Sequence, residues 1–400
     1  MTSPGSTPPP ESGQPEPLTP AEPGSIEPDG REPGTLDPLT PAERIASEPM
    51  TPAGRSPSEP LTPDGTPIPW VASPPPAAGP PGASTFTIEG RAAPALFVVG
   101  WLASLMGLGA IFVGVLSGGG LTSTIILGVG LALLTVGLIS ASGSQGLDRR
   151  ARGVLPYRGP SPFLVFATAV PLSIIAVLVA VIPMTLLDIP VDGPFGRFVS
   201  VLVQTIVYIA LIRLLVVDTG ALSWGEMGIR LPDRKALSEM GAGALWAVPV
   251  IAVTIPVAAI LQALFNVTPD SPLPPAGETS GFVLNLIAGA ILAPLGEEIL
   301  FRGLATTAWV RGMGVSRGIV RGALFFAVVH VLTISGGTAG EALQLAIIGF
   351  ATRVPVALAL GYLFVKRGSI WVPFGLHAAF NGILLVLAEI ALRSGVTGAG

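Results

Sequence analysis

Two histidines occur in the 400 residues of this chain, His330 in the run LFFAVVH and His377 in PFGLHAAFN. A third apolar stretch carries two adjacent carboxylates, Glu297 and Glu298, followed by Arg302. Ionisable groups in otherwise apolar helices are expensive to hold, so each is by default a functional-site candidate. Carboxylates and imidazoles accept protons from water, and imidazoles and amides donate hydrogen bonds to a developing oxyanion. Together these residues have the chemistry of a membrane-embedded hydrolytic centre.

Helix geometry gives the two glutamates different roles. Glu298 and Arg302 stand at i and i+4 on one face, the spacing of a carboxylate–guanidinium pair. Glu297 points about 100° away, with no cation on its own helix. A poorly solvated carboxylate in that position suits a general base near neutral pH. The assignment is therefore Glu297 as base, assisted by His330, with Glu298 and Arg302 as the pair that holds it. Pro294 and Gly296 loosen the helix just upstream and give water a way in. His377 and Asn381 are also at i and i+4, where an imidazole and an amide side by side can support an oxyanion. Each item alone has a plain structural reading: a helix-packing ion pair, a buried histidine on a backbone partner, an asparagine bridging helices. Arg213 reads as a snorkelling or packing residue.

The elements that must position these groups are transmembrane helices. The chain is 50% hydrophobic and 12% charged, with a mean hydropathy of +0.70, against roughly 25% charged in soluble domains. From residue 95 onward, apolar runs long enough to cross ~30 Å of hydrocarbon occupy about 95–117, 121–141, 163–186, 197–217, 242–265, 282–304, 319–335, 342–365 and 370–392. The expected fold is all-α, a polytopic transmembrane bundle of about nine spans. Absence of cysteine excludes disulfides, thiol nucleophiles and cysteine-based zinc sites. No basic patch argues for nucleic acid, and Met1-Thr-Ser-Pro-Gly does not begin a signal peptide.

Charge also orients the bundle. Arg149, Arg150, Arg152 and Arg158, then Arg230, Arg234 and Lys235, then Arg311, Arg317 and Arg321, then Lys366 and Arg367 fall in alternate loops. The intervening loops 187–196, 266–281 and 336–341 carry acidic residues only, so the basic set is expected in the cytoplasm. Parity then puts the N-terminus inside, in a multi-pass protein expected in the plasma membrane. On this reading His330 and His377 lie at matching depths, roughly 12–14 Å below the cytoplasmic face.

Three segments follow: a tail (1–90), a hairpin with its basic loop (91–160), and a core (161–395) with the chemistry within 294–381. The tail holds twelve acidic and three basic residues, is rich in Pro, Ser and Thr, and is expected to be disordered and cytoplasmic. Its loose repeat, Pro17-Leu-Thr-Pro20, Pro38-Leu-Thr-Pro41, Pro49-Met-Thr-Pro52 and Pro60-Leu-Thr-Pro63, reads as a solvated tether or as a partner-docking tail phosphorylated at Thr-Pro.

The run from Pro294 to Gly303 resembles the EExxxR motif of the CAAX-protease and bacteriocin-processing (CPBP, or Abi) intramembrane proteases. Phe326 to His330 resembles that family's FxxxH motif and His377 to Asn381 its HxxxN motif, in the family's order, with the resemblance covering roughly 220–395. It implies a CAAX prenyl protease-like endopeptidase acting on a membrane-associated peptide, with a site open to the cytosol. Glu297 and His330 would activate water, and His377 and Asn381 would support the oxyanion. Family members are described both as metalloproteases and as glutamate proteases. Zinc on Glu297, His330 and His377 is therefore one expectation and no metal the other, the latter favoured by the lack of HExxH spacing. Two other classes stand beside the peptidase: a non-catalytic scaffold or bacteriocin-immunity factor, and a proton-coupled transporter. The complete motif set argues against the first, and the lack of an inverted repeat against the second.

Overall fold

The computed structural model describes residues 87–153, 155–269 and 274–395. The Thr-Pro repeat and the expected disorder of the tail up to residue 86 lie outside these residues. Among the described residues every regular element is helical, and the protein is an all-α polytopic bundle. In chain order the helices are α1 (Pro94–Leu116), α2 (Gly120–Ala151), α3 (Pro162–Leu186), α4 (Pro194–Val217), α5 (Arg234–Phe265), α6 (Thr279–Met313), α7 (Val315–Val329), α8 (Ala339–Arg367) and α9 (Trp371–Arg393).

Local chemistry sets the helix ends. Proline opens α1, α3 and α4, where its missing N–H costs nothing. At the start of α8 the Thr338 hydroxyl accepts from the Glu341 N–H, and the Glu341 carboxylate accepts from the Gly337 N–H at 2.8 Å. A single residue, Gly314 with φ 86°, reverses the chain between α6 and α7.

Eight of these helices are long and apolar enough to cross a membrane. The exception is α7, the shortest of the runs read as spans, at 319–335: it is a helix of 15 residues, about 22 Å long. Its end has a physical cause. The imidazole Nδ1 of His330 donates to the Phe326 carbonyl at 2.7 Å, and the Val331 N–H turns to Val328 at 3.0 Å, a tighter i−3 bond. Hydropathy continues through Val331 and Leu332 and hides this break.

The outward faces carry large exposed apolar side chains, among them Leu102, Phe112, Leu121, Leu186 and Ile260, as a hydrocarbon surround requires. Inside, α6 packs against α4, α7 and α9. The first turns of α5 approach α9 so closely that a Cβ on Gly243 would strike the Val372 carbonyl, and one on Gly375 the Met240 carbonyl. Ser369, two residues beyond Arg367 in the α8–α9 turn, is buried: it donates to Glu239 at 2.6 Å and accepts from Arg230 at 3.0 Å. Arg230 also pairs with Glu239 at 2.7 Å, which ties the loop before α5 to the α8–α9 turn. Arg213 is exposed near the end of α4, 3.7 Å from Asp218.

The chemistry-bearing helix is not uniform. Within α6, residues Ala288–Leu292 and Glu298–Thr306 are π-helical, with Ala293–Glu297 α-helical between them. Such segments recur at functional sites.

Candidate active site

The structure brings Glu297, Glu298, Arg302, His330 and His377 into one cluster where α6, α7 and α9 meet. Glu298 is fully buried and its Oε1 accepts twice, from Arg302 Nη1 at 3.1 Å and from His377 Nδ1 at 2.8 Å. A carboxylate accepting from Nδ1 fixes that proton and turns Nε2 to the other side. There His377 Nε2 faces Glu297 Oε2 at 3.7 Å. His330 is fixed in the same sense: with Nδ1 donating to the Phe326 carbonyl, its Nε2 faces the same Glu297 oxygen at 3.6 Å. Glu297 is thus not the isolated carboxylate that its own helix suggests, because two imidazoles from other helices face it.

Exposure divides the cluster. The Glu297 and His330 side chains are 19% and 24% exposed, whereas Glu298, Arg302 and His377 are at most 6% exposed. The reactive pair is reachable and its support is sealed. Phe326 forms the wall between the two layers. Its ring lies 4.3 Å from the Arg302 guanidinium carbon, 4.2 Å from the His330 ring and 5.7 Å from the His377 ring. Sequence reasoning gave Phe326 a place in a motif but no task. Its i−4 spacing from His330 was the available signal.

Asn381 is directed at α6. Its Nδ2 donates to the Gly289 carbonyl at 2.9 Å. In a π-helical bond pattern that carbonyl would meet the N–H five residues on, which is Pro294 and has none. The Asn381 amide supplies the missing donor, as membrane helices require of freed backbone groups. Nearby, Thr205 of α4 donates to the Leu292 carbonyl at 3.0 Å, where Gly296 lets α4 come close.

Tetrahedral zinc with bonds of ~2.0–2.1 Å holds its donors about 3.3 Å apart, closer than the 3.6 and 3.7 Å found here. Among the described residues no group of three or more His, Cys, Asp or Glu side chains could hold a metal ion. As its side chains stand, the Glu297–His330–His377 set does not form such a group.

Fold and site together define an integral multi-pass membrane protein with buried glutamate, arginine and histidine side chains gathered between its helices. Residues 279–383 match the family model described as Rce1-like, type II CAAX prenyl endopeptidase Rce1-like. The matched segment contains the whole cluster. Comparison with curated proteins and with solved structures gives no match.

Proposed function

We propose that the protein is an intramembrane endopeptidase that hydrolyses a peptide bond of a membrane-associated substrate, prenylated or similarly anchored, with water activated by Glu297 and His330. The observation that carries this reading is the convergence of two Nε2 atoms on Glu297 Oε2, at 3.6 and 3.7 Å, on the accessible side of the cluster. Three polar atoms this close, none within direct hydrogen-bond distance of another, offer one water a common set of partners on their open side.

A water held there gives a proton to Glu297 as its oxygen attacks the carbonyl carbon. The oxyanion accepts from His377, whose imidazolium is balanced by the buried Glu298, and from the second hydrogen of the Asn381 amide. Glu297 then returns the proton to the leaving nitrogen as the C–N bond breaks, giving a carboxylic acid and an amine. Arg302 acts through Glu298 and is a positioning residue. The basic loops favour a cytoplasmic N-terminus; residence in the plasma membrane, and a Thr-Pro tail that is a solvated tether or a partner-docking, phosphorylatable segment, complete the reading.

Glu297→Gln tests the reading. Turnover of a membrane peptide should fall by at least about 100-fold while the melting temperature in detergent is kept, because only proton acceptance is lost. Near wild-type turnover would overturn the base assignment. Peptides that accumulate in membranes carrying the Gln variant would identify the substrate.

A further inference from the structure

A second cation lies inside the bundle and has no task in the scheme above. Arg353 is in α8, 14 residues from Ala339 and 14 from Arg367. At 1.5 Å per residue either helix end is ~21 Å away, well beyond the reach of a snorkelling side chain. Its guanidinium donates from Nη1 to the Gly349 carbonyl one turn earlier, at 2.8 Å. Among the described residues the arginine–carboxylate pairs are made by Arg91, Arg213, Arg230, Arg302, Arg311 and Arg393, and Arg353 forms none.

Its surroundings tie it to the reaction. A Cβ on Gly349 would stand 3.2 Å from Arg353 Nη1, 3.2 Å from Val331 Cγ1 and 2.9 Å from Ile334 Cδ1. The guanidinium therefore lies beside the non-helical stretch that follows His330, and the Gly349 position leaves it room. The charge of Glu297 also acts on Arg353. A membrane-embedded guanidinium with one backbone acceptor keeps most of its five donors for something else, and the group that matches them best is a carboxylate.

We infer that Arg353 is a substrate-binding residue that receives a carboxylate of the peptide next to the Glu297–His330 pair, and so selects substrates that carry one there. The inference rests on the peptidase reading for what the ligand is. Two sources share this chemistry, the C-terminal carboxylate of a chain cut near its end and an acidic side chain. Either would be repelled by Glu297 unless a cation stood beside it.

The test is a binding comparison on the full-length Glu297→Gln protein in detergent, read by fluorescence anisotropy. The probes are a labelled leucine–alanine peptide as free acid, the same peptide as amide, and the amide with one internal aspartate. With Arg353 intact, a carboxylate-bearing probe should bind about 10- to 100-fold tighter than the plain amide. Arg353→Gln should bring the ratio close to one, and Arg353→Lys should keep part of it. Preference for the free acid assigns the C-terminus, and preference for the aspartate probe the side chain. Each ratio is taken within one protein, so loss of folded material does not affect it. No preference with Arg353 intact, or a preference that survives Arg353→Gln, overturns the inference. A chain that hydrolyses nothing would leave this binding result standing, so failure of the peptidase reading is seen separately, in wild-type turnover.

Discussion

At the scale of single residues, one oxygen of Glu298 carries the support of the site. It holds Arg302 on its own helix and His377 on α9, and it is completely buried. Removing one partner of such a pair leaves an uncompensated charge, whereas removing both leaves none. Arg302→Ala should therefore cost about 3–5 kcal/mol, seen as a lower melting temperature in detergent. The double variant Glu298→Leu with Arg302→Met should regain much of that stability but no activity, because His377 Nδ1 has lost its acceptor. An Arg302→Ala protein that melts with the wild type would show that the pair is not the anchor. The Glu298–Arg302 contact is legible in the sequence from its i, i+4 spacing. The link to His377 spans 79 residues and has no local signature. Arg353 is hidden for a different reason: in an apolar run read for length, one charge in mid-helix is averaged away.

At the scale of elements, the position of His377 depends on how closely α9 lies on α5. A methyl group on Gly375 would enter the space of the Met240 backbone carbonyl, which cannot rotate away as a side chain would. Gly375→Ala should thus cost more than the ~1–3 kcal/mol of ordinary overpacking and sharply reduce folded protein. Gly382→Ala, two turns further along α9, places its methyl 3.6 Å from the Ala290 Cβ, an ordinary contact, and should be tolerated. Equal yields of the two variants in a detergent extraction would overturn this account. Apolar runs located the long helices well because length and composition are what a bilayer selects. They failed at the end of α7, where a histidine side chain competes for a backbone carbonyl while the apolar residues continue. They were equally silent on the π-helical turns, since a change in hydrogen-bond register leaves composition untouched.

At the scale of the whole molecule, the open question is direction across the bilayer. By the positive-inside rule, basic residues in alternate loops predict that those loops face the cytoplasm. The chain has no cysteine, so a single introduced thiol is a unique probe. Arg152→Cys and Arg367→Cys, both at exposed positions, should react only with reagent on the inner side. Ser335→Cys, also exposed, lies in the stretch between α7 and α8 and should react only from outside. Labelling of all three from one side would mean that this stretch returns to the face it came from. Opposite-side labelling would mean that the non-helical residues after His330 complete the crossing that α7 begins.

The π-helical stretch Glu298–Thr306 has a consequence for how this protein can vary over time. A π turn holds more residues than an α turn, so a stretch of it behaves like an insertion stored inside a helix. Losing one residue there would let the strand of hydrogen bonds relax to the commoner α pattern, and the helix itself would gain from the change. The two flanking segments would keep nearly the same facing, because the shortened α stretch makes about the same number of turns. Only residues inside the stretch would shift, Glu298 and Arg302 among them, and the Glu298 bond to His377 on α9 would go with them. The span can therefore shed a residue at no cost to the helix, and the site bears the loss.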